Sequence, residues 1–243
     1  MENLLEVKDI SFFTQNIRII QGVSIRFEEG KATALAGPSG CGKSTLLKLS
    51  AGLIIPTEGE ALYKGKSIAA MNRSQNLEFR KESAFVFQDS ALWANQTLLQ
   101  SLDLPLRVHF PEMSKAQRER RIEEVVNMVG YKRSLTIRPA SLSMGEQKLI
   151  AFGRSMLCKP SLLFLDEWTE SLDDNAAQRL ITLVKQQKLR NNTLVFVSHN
   201  PHIIRELADY VIVLAEGRIL TRLTSEQIKS GQELVELLEK DST

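Results

Sequence analysis

An α/β fold built around a mainly parallel sheet is what this sequence predicts, and three observations predict it. Short apolar runs ending in polar residues recur along the chain, notably Ser161-Leu162-Leu163-Phe164-Leu165-Asp166-Glu167 and Thr193-Leu194-Val195-Phe196-Val197-Ser198-His199. Runs that are apolar throughout, rather than alternating, mark parallel strands covered on both faces. Segments of helical character separate these runs, and that alternation argues for a parallel sheet. The third observation is the stretch Gly37-Pro38-Ser39-Gly40-Cys41-Gly42-Lys43-Ser44-Thr45. It fits the phosphate-binding pattern G-x-x-x-x-G-K-[S/T] and lies between a short apolar strand and a helix.

The elements follow in order. Leu4-Leu5-Glu6-Val7, Ile10-Ser11-Phe12-Phe13 and Val23-Ser24-Ile25-Arg26-Phe27 predict an N-terminal antiparallel β subdomain, closed by the turn Glu28-Glu29-Gly30. Phe13, or Phe12 beside it, stands where an aromatic could stack on an adenine ring; a core place on an edge strand is the equal alternative. Residues 31–36 then form the strand before the phosphate loop, and Leu46-Leu47-Lys48-Leu49 continues as helix, so phosphates would sit on a helix N-terminus. Only glycine lets backbone N–H groups approach an anion this closely without a clashing Cβ. Lys43 supplies a point charge to the β and γ oxygens, and Ser44 supplies a hydroxyl to Mg²⁺. A chance match is on the order of one in a hundred for a chain this long.

Beyond the loop helix, Pro56-Thr57-Glu58-Gly59 turns into a strand over 60–63, and Ser83-Ala84-Phe85-Val86-Phe87-Gln88 predicts another. Gln88 stands at the strand end where ligands of open α/β sheets collect, within reach of a metal or its water. From about Leu98 to Leu135 the pattern is helical, with a start at Ser114 and a stop at Gly130. This predicts an inserted α-helical subdomain. The half-apolar stretch 93–99 before it could present a surface to a partner, although Trp93 by itself reads as core. Ser141–Gln147 opens a further helix through Cys158. Asp166 ends a buried strand at the ligand edge and suits Mg²⁺ coordination; Glu167 suits positioning or deprotonating a water. After a helix over 175–189, His199 reaches the same edge and could hydrogen-bond a γ-phosphate. A strand over 210–214 and a C-terminal amphipathic helix near Leu234–Leu238 complete the reading. The expected organisation is one domain: a core with the β subdomain over about 1–90 and 160–223, the helical insert over 91–159, and a C-terminal helix over 224–243.

Composition excludes several classes. The 243 residues can bury a sizeable core, and 31 basic against 29 acidic side chains leave a net charge of +2, with no basic tail or stripe for nucleic acid. Two cysteines, Cys41 and Cys158, are too few for a disulfide framework and fit a reducing cytosol. The N-terminal residues lack the pattern of a secretory signal. No run approaches the ~20 apolar residues needed to cross a bilayer, so no direct membrane insertion is expected.

These motifs together resemble the nucleotide-binding subunit of an ABC transporter over nearly the whole chain. The phosphate loop, Gln88, Leu142-Ser143-Met144-Gly145-Glu146, the strand ending in Asp166 and Glu167, Ser171-Leu172-Asp173 and His199 occur in that family's order. The resemblance implies a P-loop NTPase core that binds ATP with Mg²⁺, metal ligands Ser44, Gln88 and Asp166, and hydrolysis through Glu167, His199 and Lys43. It also implies a head-to-tail homodimer in which Ser143 and Gly145 of one subunit meet the γ-phosphate held by its partner. Asp173 communicates across that interface, and Gln88 connects to an integral membrane permease at the cytoplasmic face of the inner membrane. Residues 69–74, 87–92 and 104–107 are similar to the ATPase of Mla-type phospholipid transport systems. An importer for a small polar solute, a soluble ATP-driven switch on ribosomes or DNA, and a regulatory subunit without turnover are the competing readings.

The chain departs from the family's pattern at identifiable positions. Met144 and Glu146 stand where the signature usually has Gly and Gln, Leu149 where a basic residue often follows, and Trp168 where Pro is common. Glu146 is expected to bring negative charge towards the polyphosphate, an unfavourable interaction of about 1–4 kcal/mol at 4 Å. These changes bear on turnover more than on nucleotide binding.

Overall fold

The computed structural model describes residues 3–15 and 17–230. Two long strands, β1 (Asn3–Thr14) and β2 (Ile17–Glu28), pair antiparallel. From Val23 to Phe27 the side chains of β2 alternate between buried and exposed, the two-residue period of a strand with one face in solvent. The strands β4 (Glu58–Tyr63) and β5 (Lys66–Ser67) complete a four-stranded antiparallel sheet in the order β2-β1-β4-β5.

The second sheet contains β3 (Ala32–Ala36), β6 (Ser83–Val86), β7 (Leu162–Asp166), β8 (Thr193–Val197), β9 (Tyr210–Ala215) and β10 (Arg218–Thr224). Its order is β10-β9-β3-β8-β7-β6. All neighbours run parallel except β10, which returns antiparallel on β9. Every residue of β3, β7 and β8 is buried, because this sheet is covered on both faces. The pleat divides their side chains between two cores. Leu163, Leu165, Leu194 and Phe196 join one cluster, whereas Leu162, Phe164, Val195 and Val197 join the other. Each fully buried Leu or Phe contributes roughly 1.5–3 kcal/mol relative to exposure.

Helices make the crossovers: α1 (Lys43–Ser50) follows β3, and α2 (Arg73–Glu82) leads into β6. Three helices lie between β6 and β7, namely α3 (Leu98–His109), α4 (Lys115–Val129) and α5 (Met144–Met156). The helix α6 (Asp174–Leu189) joins β7 to β8, α7 (Pro201–Leu207) joins β8 to β9, and α8 (Ser225–Ser230) follows β10. Local chemistry sets the ends. Ser114 caps α4 and Gly130 stops it with a left-handed φ of 76°.

Three sequence expectations change. The strand read through Gln88 stops at Val86, since the backbone turns into a loop that is left-handed at Ser90 and Ala91. Trp93, read as core, is 52% exposed. The helix expected near Leu234–Leu238 lies outside the described residues. The topology has one consequence for chemistry. Parallel strands β3, β6, β7 and β8 all end at one edge of the sheet, the place where α/β folds collect their ligands.

Candidate functional site

Four segments meet at that edge. The phosphate loop leaves β3, Gln88 lies two residues beyond β6, Asp166 ends β7 with Glu167 next to it, and His199 lies two residues beyond β8. Ser39, Gly40, Gly42, Lys43, Ser44, Thr45, Gln88, Glu167 and His199 share the wall of one cleft of about 380 Å³ with Ile19 and Val197.

The loop depends on glycine. Gly37 has φ 132°, and a Cβ there would lie 2.1 Å from the carbonyl oxygen of Leu214. Gly42, at φ 103°, is the N-cap of α1 and brings no side chain to the helix's first N–H groups. On α2, α3, α4, α5, α6 and α7 a side-chain oxygen accepts such an N–H, from Asn72, Thr97, Ser114, Ser143, Asp173 and Asn200 respectively. Thus α1 turns uncapped donors and the positive end of its dipole towards the cleft, as a phosphate site requires. The Lys43 ammonium donates to the carbonyls of Gly37 at 2.6 Å and Pro38 at 2.7 Å, which keeps it over the loop. Cys41 is buried beneath the loop; its Sγ lies 3.2 Å from where a Gly37 Cβ would stand.

The carboxylates are set by the end of β7. Asp166 is buried and its Oδ1 accepts from the Ser44 hydroxyl at 2.8 Å. Burial pushes its pKa up, with the Ser44 hydrogen bond opposing. A hydroxyl and a carboxylate are hard oxygen donors, which fits Mg²⁺ held jointly with phosphate oxygens and water. Glu167 is 8% exposed, with its backbone in the left-handed region at φ 44°. Its Oε1 lies 3.5 Å from Nε2 of the half-exposed His199. Burial raises the Glu167 pKa while His199 works against the shift, so the group is displaced towards proton acceptance. The Gln88 side chain donates to Glu170 Oε2 at 3.0 Å.

The signature segment lies elsewhere on the chain. Ser143 caps α5: its hydroxyl accepts from the Glu146 N–H at 3.2 Å, and its own N–H donates to Glu146 Oε2 at 2.9 Å. In the nucleotide-free chain the charge of Glu146, expected to approach the polyphosphate, has partners of its own. Its carboxylate folds back on its own helix and receives Nη1 of Arg133 at 3.0 and 3.2 Å. The hydrogen bond from the Ser143 backbone, then Arg133, holds its pKa below the usual range. A Cβ at Gly145 would stand 3.0 Å from the Ser171 carbonyl oxygen, so the start of α5 packs against the segment that leads to Asp173. Asp173 itself accepts the Ala176 N–H at 2.9 Å as the cap of α6. Met144 is 68% exposed and, with Gln88 and Glu170, lines a second cleft that adjoins the phosphate cleft at Gln88.

Phe13 does not line the phosphate cleft. Its ring lies under the Arg18 guanidinium at 5.4 Å, and the apolar side chains in the cleft wall are Val197 and Ile19, the latter missed by the sequence reading. It also missed Lys148 and Arg154, buried and half-buried cations on α5; the signal was two cations flanking the apolar run Leu149-Ile150-Ala151-Phe152. Trp168, in place of the usual Pro, is fully buried edge-on against Phe196 at 5.5 Å. Leu149 packs against the apolar core rather than facing a ligand.

A family model described as "ABC transporter" matches residues 20–170, and the chain belongs to the ABC transporter family as an ATP-binding, ATP-hydrolysing subunit. The intermembrane phospholipid transport system ATP-binding protein MlaF of Haemophilus influenzae is 31% identical over 96% of this chain and 88% of its own. The methionine import ATP-binding protein MetN of Clostridioides difficile is 29% identical over 93% of this chain and 70% of its own. Among solved structures, the ATP-binding cassette MJ0796, a dimer in a post-hydrolysis state bound to ADP and Pi, superposes with a TM-score of 0.84. Its identity is 26%, over 91% of this chain and 98% of that one.

Proposed function

We propose that this chain powers a phospholipid-transporting permease at the cytoplasmic face of the inner membrane, working as a pair of copies that close head to tail on ATP and Mg²⁺. The observation that supports the pairing is that Ser143 and Gly145 do not line the phosphate cleft of their own chain. The phosphate cleft holds Lys43, Ser44 and Glu167, while Met144 at the start of the signature helix lines another cleft. The Ser143 and Gly145 that cover one chain's nucleotide would then come from a second copy facing it.

In this reading Gly37 to Thr45 wrap the phosphates with backbone N–H groups, and Lys43 and the start of α1 offset their charge. Ser44, Asp166 and Gln88 are the residues that would hold Mg²⁺, which supplies charge neutralisation to the polyphosphate. Glu167, with its raised pKa, accepts the proton of the attacking water, and His199 donates to the γ-phosphate. Asp173 carries contact across the pair. The exposed Trp93, close after Gln88 in sequence, supplies surface for the permease. Among the described residues no helix is long and apolar enough to cross a membrane.

Likeness to MlaF over 96% of the chain supports phospholipid as cargo. The importer reading draws on MetN, matched over 93%. Affinity purification of the chain from its own membranes separates them. A co-purifying integral membrane protein that carries bound phospholipid, identified by mass spectrometry, supports the proposal. Recovery with a solute-binding protein and no phospholipid refutes the cargo.

A further inference from the structure

Lys148 lies one turn into α5 and is 2% exposed. Its ammonium donates to two backbone carbonyls from different parts of the chain, Gln88 at 2.7 Å and Glu167 at 2.8 Å. No carboxylate makes an ion pair with it among the described residues. The nearby acids Glu170, Glu167, Asp166 and Asp89 attract it at longer range. Burying an ammonium costs several kcal/mol unless its donors are satisfied, so this is an expensive way to join three segments if packing were the only need. An apolar side chain would fill the space without that cost.

The segments it joins are strained. Glu167 is a non-glycine residue with φ 44°, and Ser90 and Ala91, just after Gln88, have φ 64° and 45°. Such conformations persist only where the surroundings over-determine them, and they gather at functional sites. Arg154 on the same helix donates to the carbonyls of Ala91 at 2.8 Å and Ser90 at 3.3 Å. Both cations of α5 thus grip left-handed backbone, and Lys148 alone reaches the residue that carries the catalytic carboxylate. Lys148 lies at the same end of α5 as its Ser143 cap.

We infer that Lys148 is a positioning residue: it locks the helix that carries Ser143 to the backbone of Glu167 and Gln88, so that seating the signature helix sets the catalytic carboxylate. The inference rests on the reading of Glu167 as the proton acceptor. It predicts that loss of Lys148 removes turnover and spares nucleotide grip, because Lys43, Ser44 and the start of α1 do not touch it.

The test uses the full chain with Trp93→Phe, which leaves Trp168, the neighbour of Glu167, as the sole tryptophan. Lys148→Met removes the charge and both donors at similar volume; Lys148→Gln keeps a shorter, neutral donor. The expected result for Lys148→Met is kcat lowered about tenfold or more with fluorescent-nucleotide affinity within about threefold of the parent. Acrylamide quenching of Trp168 rises in parallel, and Lys148→Gln falls between the two. Unchanged kcat with unchanged Trp168 quenching overturns the inference, and so does a loss of nucleotide affinity as large as the loss of kcat. If Lys148→Met does not fold, Lys148→Gln decides by the same criteria. A parent whose ATP hydrolysis survives Glu167→Gln defeats the reading of Glu167 instead, and Trp168 quenching then decides alone whether Lys148 holds that segment.

Discussion

Removing Arg133 tests how this chain tolerates a glutamate in its signature. The guanidinium lies 3.0 and 3.2 Å from the two oxygens of Glu146, but Arg133 is 48% and Glu146 27% exposed. Solvent screening therefore limits the pair to about 0.2–1 kcal/mol in the nucleotide-free chain. At this chain length that is a shift of no more than about 2–4 °C in Tm. Glu146→Gln changes as little, because an amide closes the same capping box with Ser143. Closure over ATP is different. Without Arg133 a full negative charge stands at the start of α5, and against one phosphate charge it costs about 2 kcal/mol at 8 Å and about 4 at 4 Å, at an effective dielectric of 20.

Arg133→Ala should therefore weaken ATP-driven dimerisation on the order of tenfold to a thousandfold while Glu146 is present. In a Glu146→Gln chain the same substitution should change it less than about threefold. The assay is light scattering across a concentration series with ATP and Mg²⁺, on chains that also carry Glu167→Gln so that nucleotide is retained. Equal weakening in both backgrounds refutes the reasoning, since Arg133 would then act independently of Glu146. No weakening in either shows that the charge never meets the nucleotide.

Three further outcomes follow from named contacts. Gly37→Ala places a Cβ 2.1 Å from the Leu214 carbonyl at φ 132°, so either the loop or β9 must move; nucleotide affinity should fall at least about tenfold, as read by fluorescent-nucleotide titration, with Tm lowered. Ser44→Ala removes the hydrogen bond to Asp166, whose pKa burial already raises, and pushes that pKa further up. Mg²⁺-dependent ATP affinity should drop roughly 10–100-fold while Mg²⁺-free binding changes little, which isothermal titration with and without chelator distinguishes. Burial pushes the Cys158 thiol from 9.0 to about 11. The group charges on deprotonation, so its thiolate is scarce below both values: at pH 8 alkylation should run about a hundredfold slower than for an unburied thiol and accelerate as pH rises towards 11. Rapid labelling of Cys158 at pH 8 in the folded chain contradicts this.

Local chemistry made much of the site legible. The phosphate loop declares itself because backbone approach to an anion demands glycine at fixed spacing, and nothing distant is needed to see it. Asp166 and Glu167 declare themselves as two carboxylates ending an apolar run, because β7 is buried on both faces and carboxylates are found there only where the strand ends at the ligand edge. Ser114 and Gly130 mark α4 for the same reason: a cap acts on its own helix within a few residues. Trp93 and Phe13 were harder to place, since an aromatic in a short apolar stretch carries no sign of which side faces water.

The sequence by itself determined what each segment can do: cradle phosphate, hold a hard cation, take a proton, begin or end a helix. These properties reside in residue types a few positions apart. Only the tertiary structure decided which segments act together. It turned Glu146 onto Arg133, put Ile19 rather than Phe13 in the wall of the phosphate cleft, and brought Lys148 to the carbonyls of Gln88 and Glu167. Spacing along the chain could not reveal those meetings, because they join residues from 13 positions apart, between Arg133 and Glu146, to 60 apart, between Gln88 and Lys148. The pairing of strands and the packing of α5 set them.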